Sequence, residues 1–144
     1  MLKFLDFDPS FEGNSEQQGE LMANNNSSGK LTTHVLDTAR GCPAAGMKIE
    51  LFDLDVASDV PLVSTVTNAD GRCEAPMRDA NTLRKGRYEL RFHVSDYFTA
   101  QNTVLENGQF LDVVPIQFVV ADDTAHYHVP LLVSPYSYST YRGS

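Results

Sequence analysis

The sequence has no tryptophan, only two cysteines, and 11 basic residues against 19 acidic ones in 144 positions. Each shortage excludes something. The net charge of −8 removes the lysine and arginine surplus that neutralises phosphates, so nucleic acid and anionic membrane surfaces are not expected partners. Cys42 and Cys73 stand far apart in no CxxC arrangement, which disfavours a metal knuckle. Two free thiols in a reducing compartment is the plainer expectation, and a disulfide is the alternative. A long apolar run is missing too. The richest stretch, residues 113–121, contains Pro115 and Gln117 and falls short of the roughly 18 apolar residues that cross a bilayer. The apolar opening of the chain is interrupted by Asp6 and Asp8 with no small-residue cleavage site after it. A signal peptide is therefore not expected, and the expected location is cytoplasmic.

What is present reads as one domain behind an arm. Residues 1–30 include Asn24-Asn25-Asn26-Ser27-Ser28-Gly29 and few large apolar groups beyond the first eleven positions. Such a segment buries too little surface to offset its ordering entropy and reads as a flexible arm. From Leu31 to Ser144 the texture changes to short runs of Val, Ile, Phe and Tyr separated by Gly, Pro, Asn and Asp, the pattern of an all-β domain. The expected strands are 31–37, 47–55, 60–68, 72–75, 86–95, 112–120, 125–133 and 136–142, with turns at Gly41-Cys42-Pro43, Asn68-Ala69-Asp70-Gly71 and Glu106-Asn107-Gly108. That number of short strands predicts a two-sheet sandwich.

Alternation then orients individual strands. Tyr88, Leu90, Phe92 and Val94 alternate with Arg87, Glu89, Arg91 and His93, so the first set should meet the core and the second water. Asp96 is placed to cap a short helix over residues 96–102, with Tyr97, Phe98 and Ala100 packing inward. The strand at 113–120 is apolar on both faces, Val114, Ile116, Phe118 and Val120 on one and Val113 and Val119 on the other, which predicts subunit contacts.

The candidate chemistry lies with four histidines and an arginine. His93 shares the charged face of its strand and reads as a surface residue. His126 and His128 flank Tyr127, so a strand projects both imidazoles from one face. His34 interrupts an apolar strand, on the same face as Thr32 and Leu36. Imidazole titrates near neutrality and can take a proton from water and return it to a leaving group, which hydrolysis requires. Two other readings stand beside that one. The histidines are structural, or His34, His126 and His128 hold zinc with one position open. Arg72, after the Asn68-Ala69-Asp70-Gly71 turn, is suited to binding a polarised carbonyl oxygen, although a surface arginine is the default. The chain also keeps β-forming residues through Tyr141-Arg142-Gly143-Ser144, where most chains fray.

Taken together, Leu31-Thr32-Thr33-His34-Val35-Leu36-Asp37, Asp70-Gly71-Arg72, the run from His126 to Pro135 and the final Tyr141-Arg142-Gly143-Ser144 resemble the 5-hydroxyisourate hydrolases, also called transthyretin-related proteins. The final tetrapeptide separates that family from the hormone-carrying transthyretins of the same fold. The resemblance implies a transthyretin-like two-sheet β-sandwich with one short helix. It further implies a homotetramer built as a dimer of dimers, with active sites where dimers meet. It implies hydrolysis of 5-hydroxyisourate to 2-oxo-4-hydroxy-4-carboxy-5-ureidoimidazoline in urate degradation, without metal or organic cofactor. The family's catalytic residues correspond to His34, Arg72, His128 and Ser144, and its substrate-binding residues to His126, Tyr141, Arg142 and Gly143. In these roles His34 and His128 handle protons, Arg72 holds the oxygen that gains charge, and Ser144 orients imidazoles and substrate. The contrasting expectation is a non-catalytic carrier with an apolar channel.

Overall fold

The computed structural model describes residues 28–143, so Ser144 and nearly all of the expected arm lie outside the described residues. The chain forms β1 (Lys30–Asp37), β2 (Cys42–Pro43), β3 (Lys48–Asp53), β4 (Val63–Val66), β5 (Gly86–His93), α1 (Val94–Ala100), β6 (Val113–Val120), β7 (His126–Val133) and β8 (Tyr138–Thr140). Two four-stranded sheets result, ordered β2-β1-β7-β8 and β4-β3-β5-β6. All pairings are antiparallel except β1 with β7, which run parallel over their full lengths. The expected sandwich with one short helix is what the chain builds. Among the described residues, no helix is long and apolar enough to cross a membrane.

The core lies between the sheets and follows the two-residue period of a pleated strand. Leu31 and Val35 of β1 and Leu131 and Val133 of β7 face Ile49, Leu51, Leu90, Phe92 and Val114 of the other sheet, all buried. The alternate positions of β1 and β7 are thereby turned outward, and these carry Thr32, His34, His126 and His128. Burial of the apolar face fixes the side on which the histidines stand, because a one-residue slip would invert the whole pattern.

Several expectations are corrected. Residues 72–75 form no strand: Arg72 makes a single bridge pair with His34, because the 68–72 turn folds back on β1 instead of starting a new ladder. Cys42–Pro43, read as a turn, forms the short edge strand β2 against Leu36 and Asp37, a place that tolerates proline's missing N–H. The helix begins at Val94, not Asp96, and Asp96 makes no capping hydrogen bond. The first free amides of the helix are satisfied elsewhere, Val94 and Ser95 each donating to the Asp112 carbonyl at 3.1 Å. Tyr97 and Phe98 pack inward as expected, whereas Ala100 is exposed.

The outward face of β5 is drier than its charges suggest. Glu89 is only 7% exposed, held by Arg91 Nε and Gln117 Nε2, while Arg91 also covers the Phe52 ring. Burial alone would raise the Glu89 carboxyl, but the hydrogen bonds from Arg91 and Gln117 outweigh it and hold the group below its usual range. His93 is not a solvated surface residue either. Its Nε2 lies 2.7 Å from Glu50 Oε1, with only 18% of the side chain exposed.

Candidate active site

The site is assembled on the outer face of β1 and β7 by their parallel register. Thr32 stands opposite His128 and Lys30 opposite His126, which brings together groups almost a hundred residues apart in sequence. The Thr32 hydroxyl lies 2.9 Å from His126 Nε2 and 2.8 Å from His128 Nδ1. His34, two residues along the same face, has its ring centroid 6.5 Å from that of His128, and His126 is 6.3 Å from His128 on the same measure.

Arg72 reaches this face through the 68–72 turn. Asn68 Oδ1 accepts the Asp70 and Arg72 amides at 2.9 and 3.2 Å, and the Gly71 carbonyl accepts the Val35 amide at 2.9 Å. Gly71 has φ +73, and a Cβ there would stand 2.4 Å from the Val35 carbonyl oxygen. Only glycine allows both the left-handed conformation and the close approach that sets Arg72 beside His34. Gly143 is needed for a different reason. It bridges to His128, donating its amide to the His128 carbonyl at 2.7 Å, and a Cβ would fall 2.6 Å from His128 Cδ2. The chain after β8 therefore closes directly over the imidazole.

The electrostatics act in one direction. Burial, then the Arg72 guanidinium, then His126 and His34 pull His128 down to about 4. Burial and Arg72 also lower His34, opposed by the Asp70 carbonyl and carboxylate. Burial, Lys30 and Arg142 lower His126. A buried imidazole beside cations resists taking a further positive charge, so at neutral pH all three are neutral and retain a lone pair able to accept a proton.

Thus His34, Arg72, His126, His128 and Gly143 stand together. Tyr141 and Arg142 occupy the margin. They line a cleft of about 390 Å³ between β6 and β8, with Ile116, Phe118 and Tyr127 among its walls. The Arg142 guanidinium stacks 4.2 Å over the Tyr127 ring while its Nη2 donates to the His126 carbonyl at 3.3 Å. Ser144, the remaining expected catalytic residue, lies outside the described residues. The functional residue that sequence reasoning passed over is Thr32. Its signal was the two-residue spacing from His34, which puts both side chains on one face.

The zinc reading finds no ligand set here. Two of its three histidines turn a ring nitrogen onto the Thr32 hydroxyl, and among the described residues no cluster of three His, Cys, Asp or Glu side chains is arranged to hold a metal ion. What remains is a β-sandwich of transthyretin type carrying a polar, histidine-rich site on one sheet, an arrangement suited to proton transfer and oxyanion binding.

The family follows from sequence comparison. The model of the HIUase/Transthyretin family matches residues 31–143, and the chain belongs to that family. It is similar to the 5-hydroxyisourate hydrolase of Ralstonia nicotianae, 55% identical over 81% of this chain and 99% of that protein. The 5-hydroxyisourate hydrolase of Deinococcus radiodurans is 52% identical over 79% of this chain and 95% of that one. Among solved structures, Klebsiella pneumoniae 5-hydroxyisourate hydrolase superposes with a TM-score of 0.67 at 34% identity, over 81% of this chain and 99% of that chain. An (S)-allantoin synthase gives 0.75 at 41% identity over 87% of this chain, which spans about 48% of that longer one.

Proposed function

We propose that this protein hydrolyses 5-hydroxyisourate to 2-oxo-4-hydroxy-4-carboxy-5-ureidoimidazoline, as a step of urate degradation. The observation that carries the reading is the convergence of His34, His128 and Arg72 on one face, in a chain 55% identical to a 5-hydroxyisourate hydrolase along nearly that protein's whole length. A transthyretin-like carrier would want an apolar channel, which three imidazoles and a guanidinium do not supply.

His128 and His34 form the proton-handling pair. His128, held at about 4, is unprotonated at neutral pH and takes a proton from the attacking water. The resulting hydroxide adds to a ring carbonyl, and the oxygen that gains charge is held by Arg72, the type of stabilisation that commonly contributes most to such reactions. Collapse of the adduct breaks the ring C–N bond, and the nitrogen leaves with a proton from a histidine. His126, Tyr141, Arg142 and Gly143 bound the substrate, and Ser144 orients substrate and imidazoles. No metal ion or organic cofactor takes part.

The catalytic unit is residues 31–144, with residues 1–30 an appended arm, and its working form is a homotetramer built as a dimer of dimers. Val113 at 38% and Val119 at 61% exposure support a further interface, since they leave apolar groups on the outer face of β6 open in the single chain. Free thiols at Cys42 and Cys73 support a reducing, cytoplasmic location. The test is direct. Freshly generated 5-hydroxyisourate decays spontaneously, and micromolar protein should accelerate the loss of its ultraviolet absorbance. An unchanged decay overturns the assignment.

A further inference from the structure

The feature this mechanism leaves unused is the hydroxyl between His126 and His128. We propose that Thr32 is a positioning residue of the hydrolytic site, joining His128 Nδ1 to His126 Nε2 so that proton uptake at His128 Nε2 is matched by proton transfer through Thr32 to His126. The proposal rests on the reading of His128 as the base that activates water.

Hydrogen counting supports it. Two contacts of 2.9 and 2.8 Å each need one hydrogen between the heavy atoms, and a hydroxyl carries one. At least one imidazole must therefore present an N–H to Thr32. In one arrangement His128 Nδ1–H donates to Thr32 and the Thr32 O–H donates to His126 Nε2. That tautomer leaves His128 Nε2 bare, as a base requires. Replacing the hydroxyl removes the group that, among the described residues, holds both rings through their nitrogens.

The step balances. A water O–H bond breaks and an N–H bond forms at His128 Nε2, while the His128 Nδ1 proton moves to Thr32 Oγ1 and the Thr32 hydroxyl proton moves to His126 Nε2. His128 ends neutral, His126 ends as the imidazolium, and hydroxide is released to attack. The reverse shift returns a proton to His128 Nε2 for the departing ring nitrogen. The direction follows from relative exposure: His128 is only 8% exposed, whereas His126, although partial burial and its cationic neighbours lower it too, is the more exposed ring, and charge costs less there. Among the described residues, the charged or titratable groups bearing on the pair are Lys30 and His34 on β1, Arg72 on its turn, the two histidines on β7, and Arg142 after β8.

The test uses the full chain with Thr32→Val, which keeps the shape and removes the hydroxyl, and Thr32→Ser, which restores it. T32V should lower kcat on the order of 100-fold with KM within about two-fold, and should move the acidic limb of the kcat pH profile, with T32S recovering most of the loss. His126→Gln should reproduce the T32V profile, and the double variant should be no slower than either single one, as expected for groups acting as a unit. Nitrogen-15 imidazole spectra should show protonated Nδ1 in His128 of the parent and T32S proteins only. An active parent with T32V at full kcat and an unmoved profile overturns the relay, as does a His128 tautomer unchanged by T32V. If T32V fails to fold, H126Q decides alone, and full kcat with the parental profile there also overturns it. An inactive parent instead sinks the hydrolase reading, and the spectra then still show whether Thr32 sets the tautomer.

Discussion

His93 and His128 are both strand histidines on outward positions, one on each sheet, and their surroundings give them opposite characters. On β5, His93 meets carboxylates, with Glu50 at 2.7 Å and Asp96 at 3.8 Å, and it stands among ion pairs that satisfy one another. On β7, His128 meets a hydroxyl, two further imidazoles and the Arg72 guanidinium. Burial beside cations stabilises the neutral ring of His128. One sheet therefore ties its histidine to a carboxylate as part of the packing, and the other keeps its histidine neutral, as a base requires.

The sharpest way to break this comparison is to remove each imidazole in turn. His128→Asn should lower kcat/KM for 5-hydroxyisourate by on the order of 1,000-fold or more, whereas His93→Gln should leave it within about two-fold. Equal losses, measured by the absorbance assay, would place the chemistry on the wrong sheet. Arg72→Met comes next, with a fall of about 100-fold as the oxyanion loses its partner. The same change should raise the His128 titration point, followed by proton NMR, because a cation that opposes its protonation is gone.

Acid should separate the two sheets thermodynamically. His128 titrates at about 4 in the fold against 6.5 when unperturbed, so between those values the unfolded chain binds more protons and acidification favours unfolding. This contribution is fully present above pH 6.5, is lost progressively as pH falls, and amounts to about 3 kcal/mol by pH 4. Denaturant midpoints from pH 7 to 4 should thus fall less steeply in H128N than in the parent. A smaller effect is expected away from both histidines. The Tyr97 hydroxyl donates to the fully buried Asp37 carboxylate at 2.9 Å, tying α1 to β1, and Tyr97→Phe should cost about 1–3 kcal/mol with turnover unchanged.

The sequence by itself determined the sandwich and the face on which the chemistry stands. Alternation along 87–94 and through His126-Tyr127-His128 is a local property of the pleat, legible without knowing any partner strand. Gly71 and Gly143 were legible as parts of motifs, but their reason was not, since it lies in the Val35 carbonyl and the His128 ring that approach them. Tertiary structure alone decided the rest. Glu89 became a buried, satisfied carboxylate because Phe52 and Gln117 sit opposite it on neighbouring strands. The helix began early because Asp112 supplied a carbonyl. Thr32 became the link between two histidines because β1 pairs in parallel with a strand 96 residues away. Strand periodicity fixes which way a side chain points, but only the pairing register fixes what it meets.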